Sequence, residues 1–129
     1  MQLFSRTPAA DGFHMSAEYA PHRGCVMIWP VRPGSWPHGG KAAQHTFAAV
    51  ARAIAESEPV WMLAGPEHLA AAQAEFAADA AIQVLPIATD DAWARDVGPT
   101  CVVDGQGTVR GVDWQFNAWG GTVDGLYAH

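Results

Sequence analysis

Apolar and polar residues fall into blocks along the chain, and the period of each block predicts an element. "CVMIWP", residues 25–30, is a short apolar run stopped by proline, the pattern of a buried strand. Between Lys41 and Ser57 the period lengthens. Phe47, Val50, Ala51 and Ile54 stand at i, i+3, i+4 and i+7, one apolar stripe along a helix. "PVWMLAG", residues 59–65, predicts a second strand. Pro66 suits the first position of the next helix, and Glu67 complements its positive end. That alanine-rich helix is expected to run to about Ala77, and "AIQVLPI" predicts a third strand. "TCVVD", "GQG" and "TVRGVDWQF" read as a hairpin, with Asp104 and Gly105 opening the turn. In its second arm Val112, Trp114 and Phe116 alternate with Gly111, Asp113 and Gln115, which predicts a half-buried strand. "VRPGSWPHGG" and the last residues, "NAWGGTVDGLYAH", read as loops. Strands alternating with helices define an α/β class. The strand ends near Pro30, Gly65 and Ala88 then lead into loops on one side of a sheet.

The 129 residues fit one domain, and a hydrophobic share of 50% is that of a packed chain, not a disordered tail. The net charge of -6, with seven Lys plus Arg, argues against nucleic acid or an anionic membrane as partner. It is compatible with a small cationic ligand. The opening residues lack the apolar stretch of a secretory signal, and no apolar run is long enough to span a bilayer, so the expected location is the cytoplasm. Cys25 and Cys101 both lie in apolar runs with no base beside them, and are expected to be reduced core thiols. The six histidines, at 14, 22, 38, 45, 68 and 129, form no HxH or HExxH pair, and there is no CxxC, so no metal site is expected.

The candidate chemistry lies in "DDAWARDVGPT", residues 90–100, which sets three carboxylates around one tryptophan. A guanidinium is planar, delocalised and cationic; carboxylates pair with its N–H groups, and an aromatic ring can stack on its plane. Asp96 and Trp93, one short turn apart, supply one of each. The competing reading is local: Asp90 and Asp91 cap a turn and Trp93 belongs to the core. For Asp90 and Asp91 turn capping is the stronger reading, whereas spacing alone leaves Asp96 undecided. In "FNAWGG", residues 116–121, Asn117 can hydrogen-bond a substrate and Trp119 can wall a pocket, or the segment is an ordinary turn with a buried tryptophan. Arg32 is a loop cation that can pair with one of the acids.

Three segments, "GFHMSAEYAPHRGCVMIWPVRPGSW", "DDAWARDVGPT" and "VRGVDWQFNAWGG", occur in that order. Together they resemble the N-terminal part of the agmatine deiminase family, which includes the bacterial peptidylarginine deiminases. The resemblance runs from about Gly12 to about Tyr127. It implies the pentein fold, a five-fold pseudo-symmetric α/β propeller of ββαβ units. It also implies hydrolysis of a guanidine to a ureido group with release of ammonia, without metal or organic cofactor. In agmatine deiminases the product is N-carbamoylputrescine, on a route to putrescine. A cysteine thiolate attacks the guanidinium carbon, a histidine shuttles protons, and acidic residues grip the guanidinium nitrogens.

The family's Trp-x-x-Asp matches Trp93 and Asp96. By this resemblance Asp96 is both a catalytic and a substrate-binding carboxylate and Trp93 a pocket wall, and Asn117 and Trp119 are the further substrate-binding candidates. The family's cysteine lies near its C-terminus in a Gly-rich motif and its histidine lies mid-chain; Cys25, Cys101 and His129 match neither. The expectation is therefore that residues 1–129 are the N-terminal part of a single deiminase domain. They would carry about one and a half units and part of a guanidinium site, with strand edges that favour self-association. Two alternatives stay open: a peptidylarginine deiminase-type protein, and a non-catalytic α/β fragment with guanidinium-binding ability at most.

Overall fold

The structure, a computed structural model, describes residues 3–21, 23–89 and 91–114. They form two compact units, one spanning Pro21–Asp96 and the other made from the flanking segments up to Ala20 and from Val97 on.

The first unit is a parallel α/β layer. Strand β1 (Cys25–Ile28) leads through a loop into helix α1 (Lys41–Ala55), then strand β2 (Val60–Ala64), helix α2 (Leu69–Glu75) and strand β3 (Ile82–Pro86). The sheet order is β1-β2-β3, with Cys25 opposite Val60 and Val60 opposite Ile82. Because all three strands run in one direction, their carboxyl ends share one side, as the sequence pattern predicts. Val60, Met62 and Ala64 alternate inward on β2, and Ile82 and Val84 do so on β3. They pack with Ala48, Ala51, Ala72, Phe76 and Trp29 into one core. Burying a side chain the size of Val60 or Met62 contributes roughly 1.5–3 kcal/mol. Pro86 is tolerated because β3 lies at an edge of this sheet. Pro59 follows α1 and, lacking an N–H, cannot extend it.

Two details of the structure differ from the expected pattern. The buried line of α1 runs through Ala48 and Ala51, flanked by Ile54 and Ala55, while Val50 is 45% exposed. Alanine lets the helix sit close to the sheet, and this close approach selects the buried face over side-chain size. The second helix begins at Leu69 rather than Pro66, because Gly65–His68 first closes a turn in which the His68 N–H donates to the Gly65 carbonyl at 2.9 Å.

The second unit holds an antiparallel hairpin, β4 (Thr100–Val103) and β5 (Val109–Val112), paired from Thr100–Val112 to Val103–Val109. Asp104 opens its turn as predicted: Oδ1 accepts the N–H groups of Gln106 and Thr108, both at 2.8 Å. His14 bridges to Val103, and Arg110 donates to Asp11 at 2.8 Å. The strand ladder ends at Val112, so the expected inward alternation does not reach Trp114. That ring is 66% exposed and donates from Nε1 to the Thr100 hydroxyl at 2.8 Å. Phe116 lies outside the described residues. Cys101 is exposed, contrary to the expected core thiol, because Val102 takes the buried side of β4. Cys25 is half-buried and free. No helix among the described residues is long and apolar enough to cross a membrane.

Candidate functional site

The site grows from two loops at the carboxyl ends of β1 and β3. The loop after β1 runs from Trp29 to Gly40. The Ser35 and Trp36 N–H groups donate to the Arg32 carbonyl at 3.2 and 2.8 Å, so this stretch turns back on itself. A left-handed run follows, with φ of 58° at His38, 70° at Gly39 and 74° at Gly40. Gly40 is required: a Cβ there would collide with the Pro30 carbonyl oxygen. Gln44, one turn into α1, donates from one amide nitrogen to the Pro30 and Gly39 carbonyls, both at 3.1 Å.

The loop after β3 carries Asp91, Trp93 and Asp96. Asp91 is buried, at 6% exposure. Its Oδ1 accepts the Ala92 N–H at 2.8 Å, which is the turn-capping role read from the sequence. Its Oδ2 faces Arg32 at 3.7 Å and the Ser35 hydroxyl at 3.4 Å. The acid therefore also ties the two loops together, and Arg32 finds the acidic partner expected of it.

The short helix α3 (Ala94–Val97) follows, and the Asp96 N–H donates to the Trp93 carbonyl at 3.0 Å. Trp93 is not a core residue. It is 51% exposed, and its ring lies 6.4 Å from that of Trp36 at an interplanar angle of 34°. Trp36 in turn meets Phe47 edge-on at 5.9 Å and 75°. The Asp96 residue is exposed, and among the described residues no side chain pairs with its carboxylate. Asp96 and the half-exposed Trp93 thus stand three residues apart, joined by one backbone turn. A cleft of about 490 Å³ is lined by Trp36 with Pro37, His38, Gly40 and Phe47. It is apolar, and neither Trp93 nor Asp96 lines it.

Asp90, Asn117 and Trp119 lie outside the described residues. Among those described, no group of three or more His, Cys, Asp or Glu is placed to hold a metal ion. Burial, with the Glu58 charge adding to it, pushes the Cys25 thiol above its ordinary value. A raised thiol carries less thiolate, the opposite of what a nucleophile needs. Nothing local marks Trp36, whose ring partners include Trp93, 57 positions away, or Gln44. The only available signal was the Gly39-Gly40 pair, which marks a strained turn without saying what closes it.

The first unit is thus a parallel α/β sheet with acidic and aromatic side chains clustered in the loops at its strand ends. The chain belongs to the Porphyromonas-type peptidyl-arginine deiminase family, whose model matches residues 14–128. It is 54% identical over 127 residues to an agmatine deiminase of Ectopseudomonas mendocina (strain ymp), covering 98% of this chain and 34% of that protein. It is 55% identical over 121 residues to an agmatine deiminase of Pseudomonas aeruginosa (strain LESB58), covering 94% of this chain and 33% of that protein. Among solved structures, it superposes on the agmatine deiminase of Enterococcus faecalis with a TM-score of 0.91 and 41% identity, over 98% of this chain and 34% of that one. The chain thus spans about a third of the length of the relatives it matches.

Proposed function

We propose that this chain supplies the guanidinium-gripping part of an agmatine deiminase, which hydrolyses agmatine to N-carbamoylputrescine and ammonia. The observation that carries this reading is the exposed carboxylate of Asp96, which no side chain among the described residues pairs, one turn from the half-exposed Trp93. Relatives named agmatine deiminase support it. Asp96 would accept paired N–H bonds from the guanidinium, and Trp93 would lie along its plane. Holding the cation there orients its central carbon for attack and retains positive charge on it. Asn117 and Trp119 would complete the wall. Neither Cys25 nor Cys101 is assigned the attack on that carbon. In this reading the α/β layer is part of a five-fold pentein propeller, and the product feeds putrescine formation.

The test is product analysis with the complete gene product. Agmatine should yield equal amounts of ammonia and N-carbamoylputrescine. Preference for a peptidyl-arginine substrate would shift the reading to the peptidylarginine branch. Absence of turnover on either would leave guanidinium binding at most.

A further inference from the structure

We propose that Gln44 is a positioning residue for the guanidinium site, acting through the loop after β1 to hold Trp36 against Trp93. This rests on the reading of Trp93 as the ring that meets the cation.

Three observations carry the inference. Trp93 stands half-exposed, and among the described residues its one ring contact is Trp36. Trp36 itself is held by rings and backbone alone, since its indole N–H is buried with no acceptor among the described residues. Its place therefore depends on the path of the loop that carries it. That path is fixed at its base by Gln44, whose two amide hydrogens are both used, one on the Pro30 carbonyl and one on the Gly39 carbonyl.

The base would not hold itself. His38 occupies a left-handed conformation that a residue with a side chain adopts only under constraint, and two further left-handed residues follow it. Without Gln44 the Pro30 carbonyl, on a buried residue, loses a donor, and the left-handed run loses the bond that closes it. Gln44 also stands three residues before Phe47, the other ring on Trp36, so both lie on one side of α1. One helix face thus grips the loop at its base and at its aromatic tip. The second fastener at the tip is Asp91, through Arg32 and Ser35.

The experiment uses Gln44→Met, which keeps the length of the side chain and removes both donors. The complete gene product is labelled with 5-fluorotryptophan, and the resonances of Trp36, Trp61 and Trp93 are assigned by single replacement with phenylalanine. In Gln44→Met the Trp36 and Trp93 signals are expected to shift or broaden while Trp61, on β2, keeps its position. For agmatine, KM should rise about tenfold with kcat changed less than about threefold, as one site of binding geometry is lost. Unmoved Trp36 and Trp93 signals would overturn the proposal, as would a KM that stays at the parent value. Should Gln44→Met not melt cooperatively, Trp36→Leu decides: Trp93 must shift there while Trp61 does not, and an unmoved Trp93 refutes the linkage. If the parent protein turns over no guanidine, the functional reading falls, and the fluorine signals still decide whether Gln44 positions Trp93.

Discussion

The guanidinium carbon of Arg110 lies 4.0 Å from the centre of the Phe13 ring, and 3.8 Å from that of Phe4. Its Nη1 meets Asp11 at 2.8 Å. The hairpin strand β5 is thereby fastened to the N-terminal segment by a planar cation between aromatic groups and an acid. Arg110→Ala should lower stability by about 1–3 kcal/mol, since ring contacts and a charge-assisted bond are lost together. Arg110→Lys should recover only part, because an ammonium lacks the planar face. Chemical denaturation of the three proteins checks both.

Asp96→Asn in the complete gene product should reduce kcat/KM for agmatine at least about tenfold, because an amide presents donors to a ligand that has only donors. Trp93→Phe should cost less than Trp93→Ala, since part of the stacking face survives. Steady-state kinetics with melting temperatures as controls test the series. A full effect at Asp91→Asn with none at Asp96→Asn would move the cation to the buried acid.

Gly39 and Gly40 have similar left-handed φ, yet only Gly40 has a backbone oxygen in the place a Cβ would take. Gly39→Ala should cost about 1 kcal/mol for conformation alone. Gly40→Ala should cost more, about 2–3 kcal/mol or above, since Pro30 must also move. Equal thermal shifts for the two would contradict the crowding at Pro30.

Hydrogen bonds from the Thr108 and then the Gln106 backbone hold the Asp104 carboxyl below the ordinary carboxylate range. A carboxylate with a lowered folded pKa stabilises the turn at pH above its unfolded value. That contribution disappears as pH falls through the lowered folded value. Protection of the Gln106 and Thr108 amides, relative to their free-chain exchange rates at each pH, should therefore fall on strong acidification, and Asp104→Asn should flatten this dependence.

Cys101 is exposed, whereas Cys25 is half-buried with its thiol pushed up by burial and by Glu58. Iodoacetamide at mildly alkaline pH should label Cys101 well before Cys25, as peptide mass mapping over a time course would reveal.

The sequence announced what depends on neighbours in the chain. Strand period, helix period and the Asp104 turn are local signals, and each produced its element. Asp91 was half legible: its cap on Ala92 is local, but its link to Arg32 spans the loops after two different strands. Spacing alone leaves Trp93 open between a cation wall and the core, and the resemblance favours the wall, because a tryptophan beside acids fits either. Trp36 and Gln44 were illegible, since nothing in a glutamine on a helix signals two carbonyls waiting at the foot of a loop. Val50 was misplaced because hydrophobicity alone does not record how closely a helix must approach its sheet.

The closure of the loop after β1 at Pro30 and Gly40 has an evolutionary consequence. A loop whose two feet already touch is a side branch of the chain, and neither β1 nor α1 feels its length. Chain-closure entropy rises only about 0.6 kcal/mol for each doubling of such a loop. Insertions at the exposed Pro33–Gly34 tip can then be sampled at little cost to the sheet, whereas losing Arg32 or Ser35 would strip the buried Asp91 of these partners. Descendants of one ancestor would be free to lengthen that tip, while the fastenings at Arg32, Ser35 and Trp36 have to be kept.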